Sequence, residues 1–173
     1  MTRLKSILLA LLATLPVAGT TLEKMSVDQM VERSSAILRG KVVDSHSGMR
    51  GRVIYTFYKV QVAEKLKGEV AGTLEVAVPG GSYNGLRQTF PGAPRPASGT
   101  EYVFFLWQGL SGTNHILGLS QGLFDLKRVS NGDIVLSRGP VDAEFVDAKG
   151  TPVSDQGIRI SLRALSARVG ASK

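Results

Sequence analysis

The chain has 173 residues with 21 Lys and Arg against 14 Asp and Glu, a formal net charge of +7, and no cysteine. The missing thiols exclude disulfides, thiol catalysis, cysteine metal sites and lipid attachment at cysteine, so stability has to come from an ordinary apolar core. The positive balance is moderate, too small to indicate a dedicated nucleic-acid footprint.

Arg3 and Lys5 precede an apolar run from Ile7 to Leu15 and then Pro16, Val17, Ala18 and Gly19. Charged, apolar and small-residue regions in that order predict a cleavable export signal over residues 1–19. The run is shorter than the roughly 20 residues that span a bilayer, and no later stretch is uniformly apolar, so no transmembrane segment is expected in the mature chain. Arg3 and Lys5 account for two of the seven net charges, which leaves +5 for residues 20–173. That length suits a single domain, periplasmic or secreted, with its core over about 26–138 and a more weakly patterned extension over 139–173.

Ser26-Val27-Asp28-Gln29 has the form of a capping box, and Val27, Met30 and Val31 recur at helical spacing, which predicts an amphipathic helix over about 27–34. Strand patterning begins at Ala36 and runs to Val43, followed by a polar turn over 45–51. In the next strand Val53, Tyr55 and Phe57 alternate in one phase and Tyr58, Val60 and Val62 in the other. The switch predicts a β-bulge at Phe57-Tyr58, the device by which small barrels turn corners. Leu74, Val76 and Val78 form a third strand.

Residues 79–99 then hold five glycines and four prolines, an irregular stretch longer than compact domains usually keep without a functional reason. Strands follow over 101–107 and 115–119, and a hairpin pairs 123–129 with 134–137 across Asn131-Gly132. Residues 143–147 could add an edge strand. Ser161 caps a last helix with Leu162, Leu165 and Val169 on one face. Val76, Phe104, Leu106 and Phe124 are the expected barrel interior. The fold class is mainly β: a small, partly open, OB-like barrel with a short N-terminal and a C-terminal helix.

The residues from Ser26 to Val42, with a helix leading into the Gly40-Lys41-Val42 step, are similar to the opening of OB-fold domains of the netrin and metalloproteinase-inhibitor kind. The chain also resembles a group of uncharacterised exported bacterial proteins over roughly 26–138. That second likeness rests on Leu66-Lys67-Gly68, Pro79-Gly80-Gly81, the Pro91 to Arg95 element and Gly118-Leu119-Ser120-Gln121-Gly122. Neither resemblance carries an activity. The inhibitors chelate zinc through an N-terminal cysteine, which this chain lacks, so only the fold transfers.

Chemistry is sparse. The two histidines, His46 and His115, fall in separate segments with no nucleophile-elbow pattern, and each reads as a solvated or strand-edge residue. Asp142, Glu144, Asp147 and Asp155 read either as a calcium-binding group or, preferably, as a solvated linker. Gly80, Gly81 and Gly85 lack the following helix and lysine of a phosphate loop. No cofactor or metal is expected. The residues with recognition character are Tyr83, Asn84, Arg87, Gln88, Phe90 and Arg95, because arginine and aromatics combine contact area with directed donors. Two readings stand for them: a partner-binding surface, or a plug in which Tyr83 and Phe90 close the barrel mouth. The expected function is a non-catalytic binding module for another exported protein. The alternatives are an exported hydrolase, and an OB-type barrel for oligonucleotides or polysaccharides, of which nucleic acid is disfavoured.

Overall fold

The computed structural model describes residues 21–130 and 132–172, so the predicted signal over 1–19 lies outside the described residues. In chain order the elements are β1 (Thr21–Glu23), α1 (Val27–Arg33), β2 (Ala36–Arg50), β3 (Val53–Lys67), β4 (Thr73–Pro79), β5 (Gly81–Tyr83) and β6 (Leu86–Gln88). They continue with β7 (Glu101–Gln108), β8 (Asn114–Ile116), a 3-10 turn (Leu119–Gly122), β9 (Leu123–Arg128), β10 (Ile134–Arg138), β11 (Glu144–Val146), β12 (Pro152–Val153), β13 (Ile158–Ser161) and α2 (Leu162–Ala171). No helix among the described residues is long and apolar enough to cross a membrane.

Eight strands form one sheet in the order β13-β10-β9-β7-β2-β3-β4-β8, and β8 also pairs with β7. Strands β7, β2, β3, β4 and β8 thereby curl into an OB-like barrel. Its closure is slight. β8 meets β4 in parallel at two positions, Val76↔Asn114 and Ala77↔His115, and meets β7 at three. Beyond Ala77 and His115 the two parallel strands part, which leaves a seam in the wall.

Because β-strand side chains alternate between faces, β7 serves two cores at once. Tyr102, Phe104 and Leu106 point into the barrel with Leu38, Val42, Tyr58, Val60, Val76 and Ile116. Val103 and Phe105 point the other way, into a second core with Ile37, Phe124, Leu136, Met30, Val31, Leu165 and Val169. Val76, Phe104, Leu106 and Phe124 are all buried as expected. Phe124 belongs to the second core rather than the barrel, since its partner on β7 is the outward-facing Val103.

The helices cover that second core. The capping box forms as the sequence predicts: the Gln29 amide donates to Ser26 Oγ at 3.2 Å and the Ser26 amide donates to Gln29 Oε1 at 2.8 Å. Arg168 on α2 holds Asp28 in the first turn of α1 at 2.6 Å. The segment after residue 138 contributes β13, which pairs with β10, and α2, which buries Leu165 and Val169. The 144–146 strand pairs with β1 and β12 in a separate three-stranded sheet instead of edging the main one.

The bulge expected at Phe57-Tyr58 does not exist. Register runs unbroken there, Phe57 opposite His46 and Ala77, Tyr58 opposite Ser45 and Val76. The shifts lie elsewhere: Val43 is the extra residue on β2, and Ala63 and Leu66 are extra on β3. The phase change in the sequence has another cause, apolar residues on both faces of one strand. Tyr58 and Val60 face the barrel, whereas Phe57 faces outward and is covered by His46, stacked at 5.1 Å, and by the Arg50 guanidinium 5.0 Å above its ring. Residues 45–50, expected in a turn, continue β2, and the chain turns at 51–52. The expected 115–119 strand is shorter, giving way to the 3-10 turn. Strands β9 and β10 pair as predicted; Asn131 lies outside the described residues.

Candidate functional site

The 79–99 segment is divided between anchor and display. It contains a small hairpin, β5 and β6, turned by Asn84 (φ 48°) and Gly85 (φ 76°), both in the left-handed region that suits an Asn-Gly turn. The hairpin is fastened to β3 by main-chain and side-chain bonds. The Gly80 amide donates to the Ile54 carbonyl at 2.7 Å, and Thr56 Oγ1 donates to the Gly80 carbonyl at 2.8 Å. Gln88 works as a surrogate strand partner: its Oε1 accepts from the Ile54 amide at 2.7 Å and its Nε2 donates to the Arg52 carbonyl at 2.9 Å. Gly81 packs so closely that a Cβ there would lie 2.6 Å from Thr56 Oγ1.

Further along, Pro94 and Pro96 are buried and Ala93 packs against the barrel core. The Gly92 carbonyl accepts from the Ser120 amide and hydroxyl, and the Ala97 amide donates to the Tyr102 hydroxyl at 3.0 Å. The buried part of the segment is therefore Pro94 and Pro96, with Ala93 against the barrel core. Tyr83 and its cross-strand partner Leu86 stand exposed, at 37% and 58%, beside the exposed Asn84 and Arg87.

Of the six recognition residues expected from sequence, Arg87, Gln88, Phe90 and Arg95 line one pocket of about 200 Å³, with Phe90 half-buried. Tyr83 and Asn84 lie outside it, at the hairpin tip. No Asp or Glu lines this pocket, and neither Arg87 nor Arg95 forms a salt bridge with a described residue.

A second cleft of about 350 Å³ lies at the seam where β4 and β8 part, lined by Tyr55, Ala77, Trp107, His115, Ile116 and Leu119 among others. Strand register explains its aromatic wall. His46↔Phe57, Phe57↔Ala77, Ala77↔His115 and His115↔Trp107 form one continuous row across five strands, so all five side chains share a face. Ala77 leaves a gap in the row. Tyr55, two residues from Phe57 on the same face, stands edge-on to His115 at 6.1 Å, and Trp107 stacks on His115 at 4.8 Å. The row gathers both histidines and the single tryptophan of the chain. Burial holds the His115 imidazole below its ordinary pKa, outweighing a hydrogen bond to the Ala77 backbone that favours the charged form, and Arg50 pushes the same way as burial. It is thus mainly neutral at pH 7.

Neither histidine is hydrogen-bonded to a serine or a carboxylate among the described residues. The late acids are dispersed. Asp155 is consumed by the buried Arg138 and by the Val141 amide at 2.9 Å, and Asp147 accepts from the Lys149 and Thr151 amides at 2.9 Å. Among the described residues no group of three His, Cys, Asp or Glu is placed to hold a metal ion.

Sequence reasoning missed the aromatic row and the cleft. Tyr55 and Phe57 were legible as one face of a strand, but only cross-strand register brings His46, His115 and Trp107 to it.

Fold and site together define a mainly β, OB-like barrel with two pockets beside its open seam. No protein-family profile, curated protein or solved structure matches the chain.

Proposed function

We propose that this chain is an exported, non-catalytic binding module that recognises a protein partner through the 79–99 segment. The reading is carried by the division within that segment. Gln88, Thr56 and the buried prolines fix the loop to the barrel, while Tyr83, Leu86, Arg87 and Arg95 remain displayed to solvent. A compact domain that immobilises a long segment has met its ordering cost in advance, so little further entropy is lost on binding. Tyrosine and arginine are also among the residues that dominate interface energetics. Export rests on the order of Arg3, Lys5, the 7–15 apolar run and Gly19.

The aromatic row favours a second reading, an oligonucleotide or polysaccharide lying on the outer face of β3 and β4, where OB barrels present stacking surfaces. It stands second because no Lys or Arg lines the seam cleft to neutralise a phosphate backbone.

The test places a photo-crosslinking residue at Leu86 of the exported protein in its native host. A discrete adduct is expected, and Arg87→Ala with Arg95→Ala should weaken it more than tenfold, about 1.4 kcal/mol, at an unchanged melting temperature. Adduct formation that ignores the double substitution would assign the binding face elsewhere.

A further inference from the structure

Resting on the reading above, we propose that the partner is engaged through an extended peptide segment carrying an apolar or aromatic side chain and, two residues on, a carboxylate. The apolar group enters the seam cleft and the carboxylate meets Arg87 and Arg95.

The two pockets differ in chemistry and share a wall. Val78, Pro79 and Pro94 line both, so an occupant of one reaches the other without leaving the surface. The seam cleft has aromatic sides in Tyr55, Trp107 and His115 and contains no Lys, Arg, Asp or Glu. Such a cleft rewards burial of an apolar group and penalises a charge, which would be desolvated without a partner. Its volume of about 350 Å³ accommodates one ring-bearing side chain with room for backbone.

The adjoining 200 Å³ pocket has the opposite character, two guanidinium groups and no acid in its lining. An arginine offers a planar fork of donors that matches a carboxylate in two parallel bonds, and neither arginine of this pair is engaged by a carboxylate among the described residues. Their combined field favours an anion and disfavours a basic side chain. Anchored as they are at Gln88 and at Pro94 and Pro96, the two arginines sit on a rigid frame.

The spacing follows from strand geometry. Side chains i and i+2 of an extended chain point the same way about 6.6 Å apart, so such a chain can present two groups to pockets that adjoin at Val78, Pro79 and Pro94. A nucleic acid would need cations along the cleft as well as beside it, and the cleft has none.

Trp107 is the only tryptophan, so its emission reports directly on the seam cleft. The probe is the blocked hexapeptide Gly-Phe-Ser-Asp-Ser-Gly, titrated into the exported form of the protein alongside versions with Asn for Asp and with Ala for Phe. The parent peptide should change Trp107 emission saturably, and either replacement should raise Kd at least tenfold. Arg87→Ala with Arg95→Ala should make the Asp and Asn peptides equivalent, and Tyr55→Ala should narrow the gap between the Phe and Ala peptides. The peptide comparison needs no protein variant, so a misfolded Tyr55→Ala would not rescue the proposal. Equal binding of the Asp and Asn peptides, or no saturable change up to millimolar peptide, would overturn it. A thymidine octanucleotide that binds more tightly than the parent peptide and weakens steeply with salt would overturn it as well. Crosslinking through Leu86 that persists alongside any of these results leaves the loop reading standing and removes only the acidic-peptide inference.

Discussion

Phe104 tests the barrel core. The side chain is completely buried, stands on β7 between Leu38 of β2 and Leu123 of β9, and meets the Tyr102 ring edge-on at 5.9 Å. Phe104→Ala removes the ring from a site whose neighbours are strands held in register on both sides, so the void cannot collapse. A change of this kind costs about 3 to 5 kcal/mol, with the ring contact to Tyr102 supplying about 0.5 to 1.5 kcal/mol of it. Against the roughly 5 to 15 kcal/mol that holds a domain together, that is a large share. Urea unfolding followed by Trp107 emission and far-ultraviolet circular dichroism gives the measurement. With a slope of about 2 kcal/mol per molar, the midpoint should fall by about 2 M. Leu86→Ala, at an exposed position, should stay within about 0.5 kcal/mol of the parent. Equal midpoints for Phe104→Ala and the parent would mean that β7 does not line the barrel.

The buried pair between Arg138 and Asp155 makes a prediction about acid. Burial alone would raise the Asp155 carboxyl, but bonds from Arg138 and the Val141 and Gly157 amides outweigh it and hold the group below its ordinary 3.8. Its contribution is therefore present above that value and lost as pH falls through the lower folded value, so melting-temperature scans should drop less steeply below pH 4 in Asp155→Asn than in the parent. Asp155→Ala should cost about 3 to 5 kcal/mol near neutral pH, because Arg138 is left buried and unpaired; a loss under 1 kcal/mol in urea unfolding would show that water reaches the pair. His115 gives a third test. Its imidazole is held below the ordinary 6.5 by burial, so the folded state loses stability as pH falls below that value, and Trp107 emission should titrate with a midpoint under 6.5 that His115→Gln abolishes. A midpoint above 6.5 would contradict the burial of the ring.

Local chemistry made much of this fold readable in advance. The capping box at Ser26, the alternation in β4, the dense apolar run of β7 and the Ser161 cap each depend on residues within a turn or a strand, and each formed. The Asn84-Gly85 turn was equally readable, since it has the form of Asn131-Gly132, yet the surrounding prolines made the whole stretch look irregular. What local patterns could not supply was pairing. Phe57 reads as an apolar strand residue whether it faces a core or a covering histidine and arginine, and that ambiguity produced the misplaced bulge. The candidate pocket divides the same way. Arg87 and Arg95 stand out by residue type, whereas the role of Gln88 is set by its bonds to Ile54 and Arg52, 34 and 36 residues away. Tyr55, His115 and Trp107 converge only through the pairing of β3, β4, β8 and β7.

The contact between α1 and α2 also bears on the order of events as the chain is made. Arg168 reaches back 140 residues to Asp28, and Leu165 and Val169 complete a core begun by Met30 and Val31. Closure of so long a loop makes folding slow. A chain emerging N-terminus first cannot seal this second core until Leu162–Ala171 is free, and during that interval Ile37, Val103 and Phe105 have no cover from α2. Nascent protein would consequently keep this core open, and accessible to chaperones, until α2 has emerged.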